Sequence, residues 1–484
     1  MLFNSVEFIF FFLIVFFSYW FLFNKNLKFQ NLLILFSSYF FYAWWDWRFL
    51  VLIIISSLTD YLVGLQIEKS NNKIHKLRAL KFSLIINIGI LVVFKYYNFF
   101  IDNFTLLLDD LDIDSNLTLL NIILPVGISF YTFQTLSYSI DIYNGKINAN
   151  KDIISFFAFV AFFPQLVAGP IERAKNLLPQ FLKERKFNYD FAISGCRLIL
   201  IGLFKKMVIA DNLSVVVDAI YANPTDFLGF PSLIATIFFA FQIYCDFSGY
   251  SDIAIGIARL LGFKLMTNFK TPYFSKSLTD FWRNWHISLS SWFKDYVYIP
   301  LGGGKMSEKR IYLNIMITFL LSGFWHGANW TFLIWGAIHG IGLILEKKFI
   351  NTKVQFKNNF ISNSLRVFIT FSFVCIAWIF FRIENLSDSI LILSNLFNDI
   401  LDYTNYSVMS LKFRGLGLKP INLIICVLFI LLLLIIELGS KSKKILIIFN
   451  SYRIIRLTGY YLILVLILFW GTQYSGNNFI YFQF

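Results

Sequence analysis

The chain has 484 residues, of which 58% are hydrophobic, 20% aromatic and only 14% charged, which leaves too little polar surface to clothe a soluble core of this size. Its 42 Lys and Arg against 28 Asp and Glu give a net charge of +14, a balance that in a soluble protein points to nucleic acid. Long apolar runs exclude the soluble, disordered, collagen-like and disulfide-scaffold classes, and the alternating strands of a barrel are missing, so the expected fold class is an all-α polytopic integral membrane protein.

Along the chain, membrane spans are predicted near 8–23, 30–46, 49–66, 82–100, 119–143, 193–217, 231–260, 311–328, 331–346, 364–382, 421–438 and 457–472. A shorter apolar stretch at 153–167, followed by Ala168-Gly169-Pro170, reads as a re-entrant or interfacial helix. Residues 390–401 are ambiguous, which puts the total at about 11–13 transmembrane or re-entrant helices. The cations cluster in loops at 69–81, 173–186, 264–310, 347–357 and 441–456, whereas 102–114 holds five aspartates and no cation. Cationic loops mark the cytoplasmic side, so the +14 is a map of topology, not a sign of nucleic acid. With twelve spans the basic loops fall inside and both termini fall outside. No Lys or Arg precedes Phe8 and no cleavage pattern follows, so the first span is expected to be retained. The Ile, Lys, Asn and Phe bias fits an AT-rich bacterial genome. Cys196, Cys245, Cys375 and Cys426 are scattered singly without metal spacing, and no internal repeat is evident.

Ionisable groups inside apolar runs carry the functional information, because each is expensive there. Of four histidines, His75 sits among Lys73, Lys76 and Arg78 in a basic loop. His326 lies in Phe324-Trp325-His326-Gly327 at the end of an apolar segment; it reads either as a hydrogen-bonded core histidine or as a general base. His286 lies in a Trp-rich amphipathic stretch in which Trp282, Trp285, Leu289 and Trp292 share one helical face. That stretch is either an interfacial aromatic belt or a half-buried helix presenting Arg283, Asn284 and His286 to a site. His339 is mid-span and reads as structural. Asp246, Ser248, Ser251 and Asp252 surround Gly249, which fits a bent helix lining a cavity or a polar packing knot. Pro125 and Gly127 predict a kink. The run 302–304 before Lys305 lacks the spacing of a phosphate-binding loop.

Together these motifs resemble the membrane-bound O-acyltransferase (MBOAT) superfamily, and within it the bacterial alginate and peptidoglycan O-acetyltransferases, with the teichoic-acid D-alanyl transferase as a cousin. The resemblance runs through nearly the whole chain. It is carried by residues 40–45, 124–134, 164–171, 246–252 and 282–292 and by Trp325-His326-Gly327. It implies a single membrane domain over 1–484 built around a central funnel or tunnel, with a catalytic core at about 119–346 and an extracytoplasmic tail at 473–484. The histidine matching His326 is the family's principal catalytic residue, and the one matching His286 is the second functional position. Trp282, Arg283, Asn284, Trp285, Trp325, Asp246 and Ser248 are the expected substrate-binding residues.

The function so implied is O-acetyl transfer from a cytoplasmic thioester to an exported envelope polysaccharide, in a bacterial cytoplasmic (inner) membrane. Acetyl-CoA or an acyl-carrier thioester is the expected co-substrate, with no bound cofactor, no metal and no nucleic acid, and with membrane lipid around the chain. Phe479-Ile480-Tyr481-Phe482-Gln483-Phe484 is by composition an aromatic interfacial tail. By resemblance to the tyrosine motif of envelope acylation, Tyr481 becomes an acyl acceptor that passes acetyl to a periplasmic SGNH-type acetyltransferase. The alternatives are D-alanyl or another acyl group on a different polymer, a long-chain lipid acyltransferase, and a transporter of a polysaccharide or lipid intermediate with Asp246 and Asp252 as coupling sites.

Overall fold

The computed structural model describes residues 1–114, 117–120, 122–167, 169–227, 229–351, 359–397, 419–471 and 479–480. Tyr481, Ala168 and all of the 473–484 tail except Phe479 and Ile480 lie outside the described residues. Every regular element among those described is helical. Six segments are long and apolar enough to cross a membrane: Leu27–Lys69, Lys73–Asp109, Phe230–Leu260, Phe360–Arg382, Ile421–Lys441 and Arg453–Trp470. The protein is therefore a multi-pass membrane protein.

The chain forms two compact units, one of Met1–Leu198 with Ala254–Thr267 and one of Ile199–Ile253 with Asn268–Phe484. The first holds α1 (Val6–Phe17), α2 (Leu27–Asp46), α3 (Leu50–Lys69), α4 (Lys73–Leu91), α5 (Tyr97–Asp109), α6 (Ile128–Tyr143), α7 (Ile153–Val160), α8 (Phe163–Leu166), α9 (Ala174–Phe181) and most of α10 (Tyr189–Leu203). Ser5, Asn26, Asn72 and Asp152 start four of these helices by accepting amides of the first turn. Helices α3, α4 and α6 pack together around a polar knot. The buried Asp60 carboxylate accepts from Ser83 Oγ at 2.5 Å, from Asn87 Nδ2 at 2.7 Å and from Ser139 Oγ. Three donors from two other helices satisfy a carboxyl group that hydrocarbon would not tolerate alone.

Two expectations change here. The span predicted at 119–143 is helical only from Ile128, because Gly127 takes a left-handed φ of 74° just after Pro125. A side chain at Gly127 would also meet the Leu166 carbonyl, 2.7 Å from its Cβ position. The stretch at 153–167 is two short helices, α7 and α8, largely buried and each too short to cross a bilayer.

The second unit begins with the end of α10, which widens into a π-helical turn over Phe204–Ala210 before α11 (Asp211–Tyr221). It continues with α12 (Phe230–Leu260) as far as Ile253, and then with α13 (Leu278–Asn284), α14 (Ile287–Phe293), α15 (Glu308–His326), α16 (Trp330–Asn351), α17 (Phe360–Arg382) and α18 (Leu386–Asn395). Helices Pro420–Lys441, Lys443–Ser451 and Arg453–Trp470 follow. The predicted spans near 193–217, 311–328 and 331–346 are helical without being among the six apolar segments. They carry Lys205 with Lys206, His326, and His339 with Glu346, respectively.

Helix α12 is helical without interruption through Gly249, and the contacts of Asp246 and Asp252 fit the packing knot of the two expected alternatives. The two carboxylates are matched by adjacent cations in the π turn: Lys205 Nζ lies 2.8 Å from Asp252 and Lys206 Nζ 2.6 Å from Asp246. Gly202 and Gly249 let these helices approach. A Cβ on either would fall 2.6 to 2.8 Å from the other's carbonyl oxygen.

Candidate active site

Helices α15 and α16 form an antiparallel pair packed through glycines. A Cβ at Gly323 would sit 2.2 Å from the Phe332 carbonyl oxygen, and one at Gly336 2.4 Å from that of Phe319. The turn between them is fixed by Asn329, whose side chain accepts the Thr331 amide at 3.1 Å and donates to the Glu384 carbonyl at 3.0 Å. His326 is the last residue of α15, because Gly327 is extended. Its buried imidazole is boxed by Trp325, Trp335 and Phe381, with ring centroids at 5.0, 5.1 and 5.2 Å.

The amphipathic stretch expected as one helix is two, α13 and α14, separated at His286 with φ 41° and ψ 54°. A non-glycine residue in this left-handed region is strained by roughly 1–3 kcal/mol and persists only when its surroundings hold it. Here Asn268 does so. Its backbone carbonyl accepts the Ile287 amide at 2.8 Å, while its Oδ1 accepts from Ser288 N at 3.3 Å and Ser288 Oγ at 2.9 Å. His286 Nδ1 lies 3.2 Å from the same Oδ1. The break turns the His286 ring onto Phe247 at 4.6 Å. Burial holds its imidazole well below the ordinary range, at about 3, so the ring is neutral at physiological pH.

Trp325 links the two histidines, since its ring centroid is 5.0 Å from His326 and 6.3 Å from His286. A cavity of about 650 Å³ opens among α13, α14, α15 and α16. Trp282, Ile287, Leu289, Phe293 and Leu343 give it apolar walls, and Arg283, Lys294 and Lys347 supply cations. From α15 it is lined by Ile315, Thr318, Phe319 and Ser322. That is one stripe at three- and four-residue spacing, and its next members are Trp325 and His326.

Of the expected binding residues, Trp282 and Arg283 line this cavity, and Trp325 stands between the histidines. Asn284 turns back on Asp280 and Ser275. Trp285 is buried, stacked on Phe281 at 5.5 Å and against Trp378 at 5.0 Å. Asp246 pairs with Lys206 and accepts the Ile480 amide at 2.7 Å. Ser248 is buried, with no hydrogen-bond partner for its hydroxyl among the described residues. His339 is buried between Trp282 and Trp335, each at 5.0 Å, as a packed core histidine. Asn268, Lys206, Trp335 and Phe381 were not singled out from the sequence. Lys205-Lys206 inside an apolar run was the available signal for one of them, whereas Asn268 and the rings carry none that spacing reveals.

Comparison with known proteins agrees with this architecture. The pattern of the membrane-bound O-acyltransferase family matches residues 149–386, a stretch that includes both histidines. The chain is 42% identical over 390 residues to the probable alginate O-acetylase AlgI of Pseudomonas aeruginosa, covering 80% of this chain and 73% of the relative. It is 38% identical over 425 residues to the peptidoglycan O-acetyltransferase of Helicobacter pylori, covering 82% and 80%. It is 29% identical over 275 residues to the teichoic acid D-alanyltransferase of Bacillus subtilis, covering 54% and 69%. Similarity of this extent to acetyltransferases makes the protein an acyltransferase, and the chain belongs to the membrane-bound O-acyltransferase family.

Proposed function

We propose that the protein is an O-acetyltransferase subunit of a bacterial cytoplasmic membrane, moving acetyl from a cytoplasmic thioester toward an exported envelope polysaccharide. The observation that carries this reading is the cavity whose α15 stripe runs on to Trp325 and His326. Its apolar walls suit an acyl-bearing arm, and Arg283, Lys294 and Lys347 suit the phosphates of coenzyme A or a phosphopantetheine carrier.

In the proposed step an imidazole nitrogen of His326 takes the proton of the acceptor hydroxyl as its oxygen attacks the thioester carbonyl. The carbonyl-carbon–sulfur bond then breaks, and the histidine returns the proton to the departing thiolate. Trp325, Trp335 and Phe381 around the ring keep water from competing for the acyl group. His286, on the other side of Trp325, is the second functional position.

The acceptor in this reading is the Tyr481 hydroxyl, which passes acetyl to a periplasmic SGNH-type acetyltransferase. Its support is the placement of the two residues before it. Phe479 packs on Tyr250 at 4.4 Å and on Phe247 at 5.7 Å, and Phe247 is the ring that touches His286. Acetyl is favoured over D-alanyl because the acetyltransferase relatives are the more similar and the more fully aligned. A transporter would use Asp246 and Asp252 as coupling sites, yet each is engaged by a lysine.

The test is to incubate the purified chain with acetyl-labelled coenzyme A, and separately with an acetyl-loaded carrier protein, and to analyse the C-terminal peptide by mass spectrometry. Acetyl on Tyr481, absent from Tyr481→Phe, is the expected result. A variant that passes acetyl onward as well as wild type would remove the relay.

A further inference from the structure

The hydrogen bonds around Asn268 determine more than the shape of the α13–α14 break. A backbone N–H can only donate, so the Asn268 side-chain atom facing the Ser288 amide at 3.3 Å is its carbonyl oxygen. The amide orientation agrees at the other end, where Nδ2 donates to Ser251 Oγ at 3.2 Å. The oxygen also takes the Ser288 hydroxyl at 2.9 Å. His286 Nδ1 lies 3.2 Å from this acceptor and 3.4 Å from the Ser288 hydroxyl, whose shorter bond is to Oδ1; a bare Nδ1 would set its lone pair against that oxygen, so the geometry favours the proton on Nδ1. The ring's remaining lone pair is then on Nε2.

We infer that Asn268 is a positioning residue for acyl transfer, locking His286 as the Nδ1–H tautomer so that its Nε2 offers the site a hydrogen-bond acceptor, not a proton, while His326 takes the proton of the acceptor hydroxyl. This rests on the reading that His286 takes part in the transfer. The logic is that of any catalytic imidazole whose far nitrogen is held by a fixed acceptor: losing the acceptor leaves the ring in place but frees the wrong tautomer. Asn268 suits the task because four of its contacts come from the segment it positions. It holds Ile287 and Ser288 in the first turn of α14 and His286 just before it. It is also fully buried, so water does not compete for Oδ1.

Only four histidines are present, which makes the test direct. The full chain is purified with 15N-labelled histidine, and His286 is assigned by the resonances lost in His286→Gln. At neutral pH the expected spectrum shows Nδ1 protonated and Nε2 bare. Asn268→Leu abolishes that preference and lowers acetyl transfer by about a hundredfold or more. Asn268→Asp, which keeps an oxygen acceptor, retains the tautomer and most of the rate, and this rescue separates positioning from simple loss of folding. A wild-type spectrum with the proton on Nε2, or Asn268→Leu with both tautomer and rate intact, overturns the inference. Full activity in His286→Gln would instead remove the underlying role of His286, and the resonances report the lock independently of that outcome.

Discussion

The Ile480 amide donates to Asp246 Oδ2 at 2.7 Å while the other oxygen of the same carboxylate lies 2.6 Å from Lys206 Nζ. Lys206 is shared, since Asp211 Oδ1 lies 2.9 Å from it, and all three side chains are buried. One lysine in a π turn is thus shared by two carboxylates and, through Asp246, fixes the anchor for the segment that leads to Tyr481. Residue Asp246 acts here as a clamp on the chain's own backbone.

Removing that lysine has a defined consequence. Lys206→Met leaves Asp246 and Asp211 facing each other without a cation, and breaking a buried pair in this way destabilises by about 3–5 kcal/mol. Thermal unfolding in detergent, followed by tryptophan fluorescence, is expected to show a clearly lowered midpoint. Asp246→Asn, which still accepts the Ile480 amide, is expected to be milder. Equal midpoints for wild type and Lys206→Met would contradict the clamp.

Gly336 touches no proposed substrate, yet a methyl group there would meet the Phe319 carbonyl oxygen at 2.4 Å. Backbone cannot yield as a flexible side chain can, so α15 and α16 must separate. Gly336→Ala is expected to cost about 1–3 kcal/mol and to lower transfer by displacing His326 and Trp335 together. A variant with unaltered stability and rate would show that the close approach is dispensable.

The two-part stretch around His286 shows how much the sequence discloses. The membrane class, most helix positions, the two Trp-associated histidines and the family were legible, because long apolar runs and the Trp-His-Gly motif are local signals. The left-handed break at His286 was not, since helical spacing of Trp282, Trp285, Leu289 and Trp292 predicts one continuous helix. What interrupts it is Asn268, eighteen residues away, and tertiary hydrogen bonds override local propensity without leaving a periodic trace. The same holds for Asp246 and Asp252. Six residues apart, they do not share a helical face, and a π turn on a neighbouring helix supplies each with its own lysine.

Acidification is expected to weaken the fold through His286. Its ordinary value of 6.5 is lowered to about 3 by burial, so between these values the unfolded chain binds a proton that the folded chain excludes. The neutral ring's contribution is complete above about pH 6.5 and declines as pH falls toward 3, by at most ~1.4 kcal/mol per pH unit. Unfolding measured from pH 7 to pH 5 should show a shallower loss of stability for His286→Gln than for wild type. Identical slopes would mean that the imidazole is not held neutral.

The cavity's inner wall sets an expectation for acyl length. Trp282 lines it and backs onto Trp335 at 5.7 Å, and Trp335 in turn packs on His326 at 5.1 Å. Trp282→Ala removes a wall that favours a short acyl group. Competition among acetyl-, butyryl- and hexanoyl-CoA is expected to shift toward the longer chains by about tenfold, the worth of one to two methylenes in an apolar pocket. An unchanged preference would place the length limit elsewhere.

The central claim is that His326 supplies the proton transfer that moves acetyl out of the cavity. Its most direct measurement is single-turnover transfer of labelled acetyl by purified wild type and by His326→Ala and His326→Gln, with thermal unfolding of each confirming the fold. The account predicts a loss of at least about a hundredfold in both variants, with unfolding midpoints close to wild type for His326→Gln. Transfer at the wild-type rate by a folded His326→Gln protein would contradict it.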